Sequence, residues 1–98
     1  MIPNKINVAG IDYSVHFVDF IEIDGNRNYQ GSCSYQESEI SVLNNLSKNR
    51  KEQVFVHELV HAIFNEAGFD AQDEDMVNRL GIVLYQVLKD NKLSFEKS

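Results

Sequence analysis

Tryptophan is absent from this chain of 98 residues, and cysteine and proline occur once each. Because Cys33 is the only cysteine, an intrachain disulfide and a thiolate zinc cluster are both excluded. Basic residues are also few, since 9 Lys and Arg stand against 15 Asp and Glu for a formal net charge of −6. This acidic balance argues against nucleic acid as the main partner and against an anionic membrane surface.

Long hydrophobic runs are missing as well. No apolar stretch approaches the ~20 residues of a membrane span, and Pro3, Asn4 and Asn7 stand where a signal peptide would need an apolar run. Apolar residues nevertheless make up 43% of the chain, which is typical of a folded domain. We therefore expect one domain over residues 1–98, located in the cytoplasm.

The first half of the chain has the pattern of β-strands. Apolar and polar residues alternate on both sides of Ala9-Gly10, which predicts a hairpin. The apolar segment 20–23 precedes Asp24-Gly25, a dipeptide suited to a tight hairpin turn, with a return strand over residues 29–35. A further strand is expected at 40–43, where an extended peptide could bind by edge pairing.

The second half predicts two helices. Ser47 is a plausible N-cap for a helix over about residues 48–67, and Gly68 is a suitable stop. Apolar residues lie almost all round this helix, so we expect it to be buried on several sides. A second helix is expected over about residues 73–91. The predicted class is α+β, with an antiparallel sheet of three to four strands over about residues 5–43 followed by two helices.

The chemistry is indicated by five residues of the first helix, His57-Glu58-Leu59-Val60-His61, an HExxH motif. Its two histidines lie one helical turn apart on one face and can bind a single Zn²⁺. Glu58, about 100° round the helix, can then act as general base towards a zinc-bound water. The alternative is structural, with both histidines bonded to backbone carbonyls and Glu58 in an ion pair. Three polar residues inside an apolar segment favour the metal site, because buried polar groups need partners.

A catalytic zinc site usually has three protein ligands and one open position, so a third ligand is needed. His16 alternates with apolar neighbours and is expected on the outer face of a strand. The acidic cluster at the start of the second helix offers Asp70, Asp73, Glu74 and Asp75, although acidic residues also favour a helix N-terminus for electrostatic reasons. Helical geometry directs Asp75 away from the inward stripe and leaves Asp73 and Glu74 both open.

The segments HELVHAIFNEAGFD and EDMVNRLGIVLYQVLKDN resemble small HExxH metallopeptidase-like proteins of phages and prophages of Gram-positive bacteria. These look related to ImmA/IrrE-type zinc peptidases and, more loosely, to gluzincins. The resemblance covers roughly residues 50–92 and implies a minimal zincin-like domain. It implies that His57, His61 and Glu74 bind zinc, that Glu58 is the base, and that Asn78 orients the motif histidines.

These observations predict a zinc-dependent peptidase, with one Zn²⁺ per chain and a peptide or protein substrate. If the chain is phage encoded, its compartment would be the cytoplasm of the host cell. Tyr85 is a candidate donor to the developing oxyanion, and Tyr13 and Tyr35 remain open for that role. The alternative is a non-catalytic phage accessory protein that zinc stabilises for partner binding. An open metal position beside a groove would favour the enzyme.

Overall fold

The computed structural model describes residues 2–95. It contains strands β1 (Lys5–Val8), β2 (Ile11–Val18), β3 (Gly31–Ser34) and β4 (Glu39–Leu43), followed by helices α1 (Lys48–Glu66) and α2 (Glu74–Asp90). The predicted α+β class is thereby confirmed, with the strands in the first half of the chain and both helices in the second.

The sheet is mixed, in the order β1-β2-β4-β3, whereas the sequence predicted antiparallel pairing throughout. β1 pairs with β2 and β3 pairs with β4 in antiparallel fashion, but β2 and β4 run parallel, with Val15 opposite Ile40. After β2 the chain forms β3, which runs antiparallel to β2 but leaves room for one strand between them. The chain then reverses, and β4 fills that position, so it runs parallel to β2. This arrangement makes β3 an edge strand.

Both predicted tight turns are present, but only one joins two full strands. Ala9 and Gly10 have φ of 52° and 90° and connect β1 to β2, as two left-handed residues do in a two-residue hairpin. Asp24 and Gly25 likewise have φ of 53° and 78°, yet they are flanked only by the isolated bridge between Ile23 and Asn26. The predicted return strand is therefore wrong in its partner, since β3 pairs with β4 across the turn at residues 35–38.

Local capping explains where the helices begin and end. The Ser47 side chain accepts a hydrogen bond from the Arg50 N–H at the start of α1. Gly68, with φ of 93°, follows the end of α1 in the left-handed conformation that favours glycine. Asp73 is the N-cap of α2, and its side chain accepts a hydrogen bond from the Asp75 N–H.

Helix α1 lies between the sheet and α2, which explains why its apolar residues surround it. One side packs on β1, β3 and β4, and another side packs on α2. The main core joins the sheet to α1, and its members are Val8, Tyr13, Val15, Ile40, Val42, Phe55, Val56, Leu59 and Ala62. Val77 of α2 is fully buried as well. Since α1 is held on two sides, the side chains it presents have a rigid base.

No helix among the described residues has the length and apolar character needed to cross a membrane.

Two acidic protons, that of the buried Tyr13 and that of the half-buried Cys33, should make the fold sensitive to alkali. Tyr13 is fully buried and its hydroxyl donates to Glu66 Oε2 at 2.6 Å. Burial, and then this bond, raise the pKa of Tyr13 to about 12. Burial, and then the Glu58 and Glu66 carboxylates, raise the pKa of the Cys33 thiol to about 12. In an unfolded chain the pKa of cysteine is about 8.5 and that of tyrosine is about 10, so both protons are released at a lower pH than in the folded protein.

We therefore expect the free energy of unfolding to fall as the pH rises from about 8.5 towards 12, because the unfolded state then binds fewer protons than the folded state. Urea unfolding at pH 7.5, 9 and 10.5, with a chelator present so that metal binding does not contribute, measures this slope. The double variant Tyr13→Phe, Cys33→Ala should show a flatter decline. A parent protein equally stable at all three pH values would contradict the prediction.

Candidate metal centre

Helix α1 presents the two motif histidines side by side. His57 and His61 are four residues apart, and their ring centroids lie 5.0 Å from each other. Their side chains are 23% and 17% exposed, so each ring is largely covered but can be reached from one side. A buried helix with this polar pair on one face supplies two adjacent Nε2 atoms.

The first turn of α2 brings a carboxylate to both rings. Glu74 Oε1 lies 2.8 Å from His57 Nε2, and Glu74 Oε2 lies 3.1 Å from His61 Nε2. His57, His61 and Glu74 each offer one ligand atom within 4.8 Å of the others, and they are the only three-residue group of this kind among residues 2–95. Glu74 reaches the histidines because the chain reverses at Gly68 and α2 then packs back against α1.

The other acidic and histidine candidates lie elsewhere. The Asp73 side chain is engaged in capping its own helix. Asp75 is exposed and pairs with Arg79 at 3.6 Å. His16 lies on the outer face of β2, where its Nε2 is 3.7 Å from Glu39. The alternatives that the sequence left open at the third position are thus separated by tertiary structure, and Glu74 is the residue that meets the histidines.

Glu58 is the buried acid of the site. Its residue is only 8% exposed, yet it lines the same pocket as His57, His61 and Glu74. Burial, and then the nearby Glu74 carboxylate, raise the pKa of Glu58 to about 8. A carboxyl group whose pKa lies near neutrality is suited to accept and return a proton.

The backbone of β3 approaches Glu58 closely at Gly31. A Cβ atom added there would lie 2.5 Å from Val54 Cγ1 and 3.1 Å from both Glu58 Cγ and Glu58 Oε2. Val54 is β-branched and has little freedom to move aside. Gly31 therefore allows the edge strand to lie directly against the buried acid.

We expect Gly31→Ala to destabilise the protein by about 1–3 kcal/mol, the usual cost of overpacking a filled site. The change would also displace the Glu58 carboxylate. The free energy of unfolding in urea measures the first effect, with Ser32→Ala on the same strand as the control that only removes a hydroxyl. If Gly31→Ala unfolded at the same urea concentration as the parent, the close packing described above would be wrong.

A glutamine that the sequence analysis did not single out contacts the second histidine. Gln72 Oε1 lies 2.6 Å from His61 Nδ1, and Gln72 Nε2 lies 2.9 Å from the Tyr35 hydroxyl oxygen. Gln72 belongs to the connection between the helices, where no periodic pattern marks it. Asn78 was expected to orient the motif histidines, but it is not bonded to either of them. Among the described residues, only Glu74 and Gln72 have side chains bonded to a motif histidine. Asn78 lines the pocket instead.

A pocket of about 1000 Å³ opens beside these residues. One wall is edge strand β3, another is α1, and a third is α2 from Glu74 to Tyr85. Tyr35 and Tyr85 both line it. The Tyr85 hydroxyl donates to Glu52 at 2.8 Å, and Lys89 Nζ lies 3.2 Å from the same oxygen. Tyr13 is bonded to Glu66 in the core. Among the three tyrosines considered as oxyanion donors, Tyr35 is the one at the pocket without a carboxylate partner in the described part of the chain.

The donor set fits zinc in kind and number. Two imidazole nitrogens and a glutamate oxygen form a ligand set of catalytic zinc sites, which keep a further position open. With Zn–ligand bonds of about 2.0–2.1 Å, tetrahedral donors lie about 3.3 Å apart. Two of the separations, 2.8 and 3.1 Å, are close to that value, and all three ligand atoms lie within 4.8 Å of one another.

Comparison of this chain with protein-family models, with curated proteins and with solved structures finds no match in any of the three.

Proposed function

We propose that this protein is a zinc-dependent peptidase that uses His57, His61 and Glu74 as ligands and Glu58 as general base. The observation that carries the proposal is the meeting of three side chains from two helices, with Glu74 within 3.1 Å of both histidines. Two imidazoles and a carboxylate this close together need a positive charge among them. Imidazole lone pairs that face a carboxylate need a cation between them, either a proton or a metal ion.

When bound at these residues, Zn²⁺ supplies Lewis acidity that polarises a substrate carbonyl and acidifies water. Glu58 accepts a proton from the attacking water, whose oxygen bonds to the carbonyl carbon. As the C–N bond breaks, Glu58 returns that proton to the leaving nitrogen. A divalent cation nearby would also favour the carboxylate form of Glu58, which opposes the effect of burial on its pKa.

Tyr35 is our candidate for the donor to the oxygen that becomes negative during the attack. It lines the pocket, and its hydroxyl oxygen already accepts from Gln72 Nε2 at 2.9 Å, so its own proton is available to donate. Burial raises the pKa of Tyr35 while the Gln72 bond lowers it, with a net increase. The side chain therefore holds its proton at neutral pH.

We propose that an extended substrate binds along strand β3. The sequence predicts edge pairing of a peptide at residues 40–43, but β4 lies between β2 and β3 and both of its edges are occupied. β3 is at the sheet edge and contributes Gly31, Ser32 and Cys33 to the pocket. Its unpaired edge can add a strand in the manner of β-augmentation.

The pocket favours this proposal over a purely structural zinc site. Structural zinc sites are closed by four protein ligands, whereas the described residues bring three to this point, beside a pocket of about 1000 Å³. The resemblance to phage and prophage proteins adds the proposal that the chain is phage encoded and acts in the cytoplasm of the host cell. The substrate is then a peptide or protein met there.

The test uses the intact protein purified without affinity tags or chelators. We expect about one equivalent of zinc per chain by elemental analysis, and cleavage of a mixed peptide library detected by mass spectrometry. Removal of the metal with a chelator should abolish cleavage, and stoichiometric Zn²⁺ should restore it. Protein that holds one zinc but cleaves no peptide would favour the accessory role, and protein that binds no zinc would refute the proposal.

A further inference from the structure

Gln72 makes three polar contacts that join the metal centre to the pocket wall. Its Oε1 lies 2.6 Å from His61 Nδ1. Its Nε2 donates to the His61 backbone carbonyl at 3.3 Å and to the Tyr35 hydroxyl oxygen at 2.9 Å. Gln72 is half-buried between α1 and α2, so these contacts are partly shielded from water.

The contact with the backbone determines which way the amide is oriented. A carbonyl oxygen can only accept, so the group facing the His61 carbonyl must be the NH₂ end of Gln72. The other end, Oε1, is therefore an acceptor that faces His61 Nδ1. At 2.6 Å this contact requires a proton on Nδ1, because two lone pairs would repel each other there.

A proton on Nδ1 leaves the lone pair of neutral His61 on Nε2, the atom that faces Glu74 at 3.1 Å. The two acceptors act in opposite directions, since Gln72 Oε1 attracts the imidazole proton to Nδ1 and the Glu74 carboxylate attracts it to Nε2. Loss of Gln72 would therefore shift neutral His61 towards the Nε2–H tautomer. That tautomer cannot bind a metal through Nε2. The acceptor on Nδ1 thus favours the form of His61 that can act as a ligand.

We infer that Gln72 is a positioning residue that favours the Nδ1–H tautomer of His61 and, through the same amide, holds the Tyr35 hydroxyl at the pocket. The inference rests on the proposed zinc site. Gln72 would thereby connect the ligand His61 on α1 with the candidate oxyanion donor Tyr35, which follows β3.

The experiment compares three variants with the parent. Gln72→Met keeps the length of the side chain and removes all its hydrogen bonds. Gln72→Glu keeps an acceptor for Nδ1–H but loses both donated bonds. Gln86→Met alters an exposed glutamine of α2 whose amide contacts Asp90, and it serves as the matched control.

Two properties of each variant are measured. Zinc affinity is determined by competition with a chromophoric chelator. In metal-free protein, at a pH where the ring is neutral, ¹⁵N NMR of the imidazole identifies the protonated nitrogen of His61.

We expect Gln72→Met to weaken zinc binding by about 10- to 100-fold, the usual effect of removing a partner of a metal-bound histidine. The neutral tautomer of His61 should shift towards Nε2–H in the same variant. Gln72→Glu should retain both the Nδ1–H tautomer and zinc affinity within a few-fold of the parent, and Gln86→Met should change neither.

Two results would overturn the inference. One is a Gln72→Met protein with parental zinc affinity and an unchanged tautomer. The other is a Gln72→Glu protein as impaired as Gln72→Met, because the acceptor would then not be what matters. If the parent itself bound no zinc, the proposed function would fail, and the tautomer measurement on metal-free protein would still decide the role of Gln72.

Discussion

Glu58→Gln is expected to lower peptide hydrolysis at least ~100-fold, the usual scale of a general base, without changing the zinc content. The amide keeps the size of the side chain, which matters because Gly31 and Val54 pack closely around it. It cannot accept a proton from water at neutral pH. Glu58 lies round the helix from His57 and His61 and is not one of the three clustered ligand residues, so metal binding should be preserved.

Rates are measured on the most readily cleaved peptide of the library, and zinc is determined by elemental analysis of the same samples. Glu37→Gln is the matched control, since Glu37 lies in the turn between β3 and β4, away from the pocket lining. Turnover in Glu58→Gln at the parental rate would assign the base to another residue. Loss of zinc in that variant would instead make Glu58 a ligand.

Glu74→Ala is expected to weaken zinc binding by more than ~100-fold, because the loss of a direct ligand should exceed the 10- to 100-fold cost of losing an outer partner. His57→Ala and His61→Ala should have comparable effects. Asp73→Ala removes the N-cap of α2 and should cost about 1 kcal/mol of stability while leaving zinc affinity within a few-fold of the parent. Asp75→Ala should change zinc affinity as little as Asp73→Ala.

Competition with a chromophoric chelator gives the affinities, and urea unfolding gives the stabilities. The two neighbouring variants make the comparison stringent, since Asp73 and Glu74 are adjacent and both acidic. If Asp73→Ala lost zinc and Glu74→Ala kept it, the ligand assignment would be reversed. The proposal that the two histidines are ligands would still stand in that case.

The helices could be predicted from the chain because their signals are local. Ser47 as N-cap and Gly68 as stop depend on side chains and backbone conformations within a few residues. The relation between His57 and His61 is local too, since four residues correspond to about one helical turn. The fold class followed from alternation in the first half and helical periodicity in the second half.

The arrangement of the sheet could not be predicted in the same way. The Asp24-Gly25 turn was located correctly, but its flanking residues form only an isolated bridge. Hairpin signals favour pairing between neighbouring strands, whereas β2 pairs with β4 across an insertion that contains β3. Such pairing depends on long-range contacts that no short window of sequence contains. The edge strand of the sheet was misassigned for this reason.

The sequence by itself determined that two imidazoles and an acid would lie on one apolar helix, because the caps and the apolar pattern predict the helix and its spacing then places the three residues. Only the tertiary structure decided that Glu74 rather than Asp73 meets the histidines, because Asp73 caps α2 while the next residue faces α1. Tertiary structure also brought Gln72 from a connecting segment to His61 and Tyr35. Contacts of that kind depend on how two helices pack, and one-dimensional spacing carries no record of the angle between them.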